Sequence, residues 1–88
     1  MPTISMFFGI MIRMYNRDHG KPHFHAIYQA YDAVFDIETG ELREGELPRT
    51  ASRIVSEWSQ RHRDELLENW RRGRARQPMQ RIPGADND

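Results

Sequence analysis

No cysteine occurs in the 88 residues, which excludes disulfides, zinc–thiolate sites and thiol catalysis and leaves histidine and carboxylate as the strong metal ligands. Long apolar runs are missing too. The longest, Met6 to Met11 or Ile12, ends at Arg13, far short of the roughly 20 residues a membrane helix requires, and it lacks the basic start and cleavage site of a secretory signal. A soluble, cytoplasmic protein with no membrane partner is the expectation. Nor does one sign of charge dominate, because 13 Lys and Arg offset 13 Asp and Glu.

The balance hides an uneven distribution. Residues 1–31 carry +2, 32–47 carry −5, 48–70 are neutral and 71–88 carry +3. The chain therefore has an acidic middle and a basic end. Arg71, Arg72, Arg74, Arg76 and Arg81 are candidates for phosphate contacts, as in a DNA-binding regulator. The plainer reading is a solvated helix end whose cations complement the helix dipole. The acidic run Asp36, Glu38, Glu41, Glu44 and Glu46 reads as a solvated edge protected against aggregation.

What the chain has instead is apolar periodicity. Every even position from 4 to 14 is apolar: Ile4, Met6, Phe8, Ile10, Ile12 and Met14. A period of two predicts one long, half-buried strand, with Gly9 marking a bulge or bend. Asn16 to Gly20 is turn-forming, and Pro22 fixes an extended entry to a second strand over Lys21 to Gln29. A third strand spans Tyr31 to Glu38 with Ala33, Phe35 and Ile37 on one face, and a short acidic fourth spans about Leu42 to Gly45. From Pro48 onward Ala51, Ile54, Val55, Trp58, His62, Leu66 and Trp70 recur at spacings of three and four, which predicts a helical stripe. Either one helix covers roughly 49 to 72 or it breaks near His62-Arg63-Asp64, and Gly73 is the expected stop.

The expected fold is α+β: a three- or four-stranded antiparallel β-meander followed by a long C-terminal helix or helix pair packed on one sheet face. Residues 1–77 form the single domain and 78–88 a flexible C-terminal tail. A domain this small with an exposed strand edge makes a homodimer the expected assembly.

His19-Gly-Lys-Pro-His-Phe-His25 holds three of the four histidines. On a strand, His23 and His25 share one face while Phe24 and Ala26 share the other. The polar face then displays Arg13, Tyr15, His23, His25, Asp32, Asp36 and Glu38. Two chemistries use these groups. In one, His19, His23 and His25 act as base and acid in metal-independent cleavage of RNA, with Arg13 or Lys21 stabilising charge on the phosphate. In the other, His19, His23 and His25 hold a Zn, Ni or Cu ion completed by Asp36 or another carboxylate. Against both stands a strand whose histidines simply hydrogen-bond to Asp36 or Tyr15. His62, on the helix stripe between Trp58 and Leu66, reads as a partly buried histidine satisfied by a carboxylate or carbonyl.

Several segments together carry a family resemblance: Pro2-Thr-Ile-Ser5, Phe7-Phe-Gly-Ile10, Met14-Tyr15, His19-x-x-Pro-His-Phe-His-Ala26, Gly45-x-Leu-Pro48 and Trp58-x-x-x-His-Arg-x-Glu-Leu-Leu-Glu-Asn-Trp70. Over about residues 2 to 80 the chain resembles the small prokaryotic domain of unknown function numbered forty-one sixty. The resemblance implies one component of a toxin–antitoxin-like pair with a small cognate protein encoded nearby as partner, and it brings no established enzyme activity. Arg13, His19, Pro22, His23, Phe24, His25, His62 and Trp70 fall on positions where that family shows the same types. The arginine-dense stretch after Trp70 matches no motif of the family.

Overall fold

A computed structural model describes residues 2–16 and 18–88, and Arg17 of the expected Asn16–Gly20 turn lies outside the described residues. Five strands, β1 (Thr3–Phe7), β2 (Ile10–Arg13), β3 (His23–Tyr28), β4 (Tyr31–Asp36) and β5 (Leu42–Gly45), are followed by helices α1 (Arg49–Arg61) and α2 (Arg63–Arg74) and a short 3-10 helix at Ala85–Asn87. The strands form one antiparallel sheet in sequence order. The fold is α+β, with five strands instead of three or four. No helix is long and apolar enough to cross a membrane among the described residues.

The extra strand arises where one long strand was expected. Phe8 and Gly9 both have positive φ, 53° and 77°, the pattern of a type I′ turn whose twist matches that of paired strands. The turn folds β1 back on β2 with Phe7 opposite Ile10. Partners across a strand pair face the same side, so Phe7, not Phe8, joins Ile10, Ile12 and Met14 in the core, while Met6 and Phe8 are 50% and 59% exposed. A register shift between Thr3 and Ser5 then returns Ile4 to the interior, so that Ile4 and Ser5 are both buried.

Strands β3 and β4 follow the expected alternation. Phe24, Ala26, Ala33, Phe35 and Ile37 are at most 1% exposed, and the rings of Phe24 and Phe35 stack with centroids 5.5 Å apart. Gly45 ends β5 at φ 74°, where a Cβ would lie 2.1 Å from the Asp32 carbonyl oxygen. Only glycine lets the two backbones approach this closely.

Helix α1 covers the apolar face with Ala51, Val55 and Trp58. Trp58 is fully buried against Phe7 and Phe24, and its indole N–H donates to the Pro83 carbonyl at 2.9 Å. The stripe breaks at His62, whose φ of −113° separates the two helices. Helix α2 buries Leu66, Asn69, Trp70 and Gly73. Gly73 is therefore not the stop. It sits within the last turn facing Met79 and the Tyr15 carbonyl, a close approach that a side chain would obstruct. The left-handed stopping residue is Arg76, φ 60°, closed by Gln77 N–H to the Arg72 carbonyl and Arg76 N–H to the Gly73 carbonyl, which is the Schellman arrangement.

Residues 78–88, expected as a tail, run as a strap along β1 and the helices. Asn69 exchanges two 2.8 Å hydrogen bonds with the Gln80 backbone. Ile82 is 4% exposed, its N–H donates to the Ile4 carbonyl, and its carbonyl accepts from Ser5 Oγ. The physical reason is that Ile82 is buried, Met79 and Ala85 pack against the core, and Ser5, Trp58 and Asn69 satisfy the segment's backbone groups.

Candidate functional site

The parities of β2, β3 and β4 line up. Arg13 stands opposite His25, and His23 opposite Asp36. With Phe24 fixed in the core, His23 and His25 are turned to the polar face, their ring centroids 5.6 Å apart. The Tyr15 ring meets His25 edge-on at 4.7 Å, and Trp70 of α2 lies against His23 at 5.0 Å. His23 is thus wedged between a helix and its neighbour, with only 11% of its side chain exposed.

The loop from β2 to β3 brings in a residue that the sequence reading passed over. Asp18 reaches back so that its Oδ2 lies 2.9 Å from His23 Nε2. The other ring nitrogen, Nδ1, is 2.9 Å from the Lys21 carbonyl. A carbonyl only accepts, so Nδ1 carries the hydrogen and donates it. In a neutral ring Nε2 then holds the lone pair, aimed at a carboxylate. A lone pair and a carboxylate at this distance need a cation between them or beside them, either a proton on Nε2 or a metal ion bonded to both.

Asp18, His23 and His25 each offer a donor atom, all within 4.8 Å of one another. Two donors bound at about 2.0–2.2 Å to one ion are about 3 Å apart at the right angle of an octahedral or square site and about 3.4 Å apart in a tetrahedral one, so the 2.9 Å between His23 and Asp18, an ion-pair distance as it stands, has to open slightly to admit a tetrahedral ion. Of the three, His25 has to turn its ring, now edge-on to Tyr15, to bond the same ion. Two imidazoles and one carboxylate suit zinc, copper, nickel or ferrous iron.

Two residues expected in the set are elsewhere. His19 is exposed, and its backbone N–H donates to Asp18 Oδ1 at 3.0 Å; it helps to orient that carboxylate without joining the donors. Asp36 faces the same side as His23 but is held by Arg43 of β5, whose Nε donates to it at 2.7 Å. Asp32 is 3.8 Å from His25 Nδ1, beyond hydrogen-bond reach, and its side chain is 67% exposed. Arg13 is half-buried, and its Nε is buried with no hydrogen-bond partner.

The family model for Domain of unknown function (DUF4160) matches residues 9–71, most of the chain and all of the cluster from Arg13 to His25. The chain belongs to this family. No curated protein and no solved structure matches it. The matched span of this DUF4160 protein ends within α2, so the strap at 78–88 lies outside it.

His62 is satisfied as its position on the stripe suggests. Its Nδ1 pairs with Glu65 and its Nε2 lies 2.9 Å from Asp88 Oδ1, with the ring against Trp58. Burial lowers its pKa, but the hydrogen bonds to Glu65 and Asp88 outweigh burial and hold it above 6.5. In the basic end, Arg71 and Arg72 both hydrogen-bond to Glu68. Chiefly through Arg71, these arginines pull the Glu68 carboxyl down to about 2. Two of the guanidiniums read as phosphate contacts are therefore engaged within the protein.

Proposed function

We propose that this DUF4160 chain is a transition-metal-binding module, with Asp18, His23 and His25 as its protein ligands. The reading rests on one observation: the Nδ1 hydrogen bond to the Lys21 carbonyl leaves His23 Nε2 facing the Asp18 carboxylate, with a His25 nitrogen in the same group of donors within 4.8 Å of one another. Without metal, a proton on Nε2 completes an imidazolium–carboxylate pair. With metal, the ion takes the place of that proton.

The test uses protein purified without a nickel column, stripped with chelator and titrated with zinc against a chromogenic competitor. One equivalent should bind. Asp18→Asn and His23→Ala should each weaken binding at least tenfold, whereas His19→Ala should leave it within twofold. Absence of stoichiometric metal, or equal loss in the His19 variant, would reject this donor set.

A second reading is favoured by the side-by-side placement of Arg13 and His25. In it the chain is the small toxin-like member of a two-protein module and cleaves RNA without metal, His25 moving the proton and Arg13 holding the phosphate. A small protein encoded nearby is then the cognate partner. Expression of the chain alone should arrest growth and degrade bulk RNA, and His25→Ala should abolish both effects. Harmless expression with intact RNA would remove this reading.

A further inference from the structure

We infer that Arg13 is the anion-binding half of this site and that the ligand it holds, shared with the metal, is a phosphate group. The inference rests on the metal reading above and names what occupies the ion's remaining positions. Three protein ligands leave one position open on a tetrahedral ion and more on an octahedral one.

Three observations converge on Arg13. It is the cross-strand partner of His25, so their Cβ atoms are separated by about 5 Å on one sheet face. Its Nε is buried without a hydrogen-bond partner, although a guanidinium has five donors and a buried donor is almost always satisfied. No ion pair engages it among the described residues, while the neighbouring acids are committed elsewhere or exposed. Asp18 is turned to His23, Asp36 is held by Arg43, and Asp32 is largely in solvent.

The charge count gives the sign of the missing ligand. A divalent ion and Arg13 against Asp18 leave two positive charges, or one when the solvated Asp32 is included. An anion of one or two charges restores balance. Phosphate fits because its tetrahedral oxygens allow one to bond the metal while others meet the planar N–H fork of arginine. Free phosphate, a phosphate monoester and a nucleic-acid phosphodiester share this chemistry.

Cobalt(II) in place of the native ion makes the site visible, since its absorption bands respond to a ligand entering the coordination sphere. The cobalt-loaded protein is titrated separately with inorganic phosphate, with the dinucleotide adenylyl-adenosine and with acetate. Phosphate or the dinucleotide should perturb the bands at concentrations at least tenfold below acetate. Saturation by the dinucleotide assigns a phosphodiester source, and saturation by phosphate alone a small phosphate. Arg13→Gln should bind cobalt with unchanged stoichiometry, which also shows that it folds, and lose at least tenfold in phosphate affinity, with Arg13→Lys recovering part of it. Unchanged phosphate affinity in Arg13→Gln, equal potency of acetate, or bound cobalt blind to both phosphates would overturn the inference while leaving the metal site standing. Failure to bind cobalt at all would overturn both, and is read before any anion is added.

Discussion

Replacing Ile82 by alanine is expected to destabilise the protein by about 3 kcal/mol, although the segment carrying it is polar enough to pass for a tail. The side chain is 4% exposed and loses three carbons, each contributing about 0.8 kcal/mol on burial. Incomplete collapse of the space between β1 and the helices adds the remainder. Against a total of about 4–13 kcal/mol for a domain of this length, that is a large fraction. With a urea dependence of about 1 kcal/mol per molar, the unfolding midpoint followed by tryptophan fluorescence should fall by about 2–3 M at unchanged slope. Arg81→Ala is the control, since Arg81 is exposed and its guanidinium donates to the Thr3 carbonyl at the surface; its effect should stay within about 0.5 kcal/mol. A midpoint change of less than about 0.5 M for Ile82→Ala, or equal effects of the two variants, would refute the packing of the strap.

Gly45→Ala should cost about 2–3 kcal/mol, because its Cβ would meet a backbone oxygen at 2.1 Å in a left-handed conformation; a thermal melt within 2 °C of the parent would contradict that contact. The His62 cluster gives stability a pH dependence. A raised histidine pKa stabilises fully below 6.5 and loses that contribution as pH rises through the folded value. Asp88, which burial raises but which hydrogen bonds from His62 and Arg61 bring below 3.8, contributes above 3.8 and loses its share as pH falls through the lower folded value. The pair should therefore stabilise most between about pH 4 and 6.5, and His62→Gln should flatten the decline in melting temperature between pH 6.5 and 8. An identical profile in that variant would show that the cluster is not coupled to folding.

Strands β3 and β4 and the helical stripe could be read from the chain because their periodicity is unbroken and one face of each is buried, although the stripe alone does not decide between one helix and two. Ala33, Phe35 and Ile37 have no other way to be apolar at every second position, and Ala51 to Trp70 no other way to recur at three and four. The first hairpin could not be read in this way. Its turn carries Phe8, a bulky residue at positive φ where asparagine or glycine is usual, so the apolar series runs through the bend and Gly9 alone reads as a bulge or bend within one strand and not as a reversal. For the site, the pairing of His23 with His25 followed from strand parity alone. Asp18 did not, because its role depends on the path of the β2–β3 loop, which no periodicity encodes. His19 and Asp36 had the right residue types, but the former is exposed and the latter is taken by Arg43, which lies seven residues further along the chain.

The strap also fixes the direction in which the sheet can grow. With Ile82 hydrogen-bonded to Ile4, one flank of the sheet is already spoken for, whereas β5 is exposed along its whole length. Any strand recruited from another molecule would have to join at β5, beside Glu44 and close to Glu41 and Glu46. Two copies meeting there antiparallel would bring their glutamates face to face, a repulsion that discourages self-stacking, while an extended segment rich in lysine or arginine would find its charges matched.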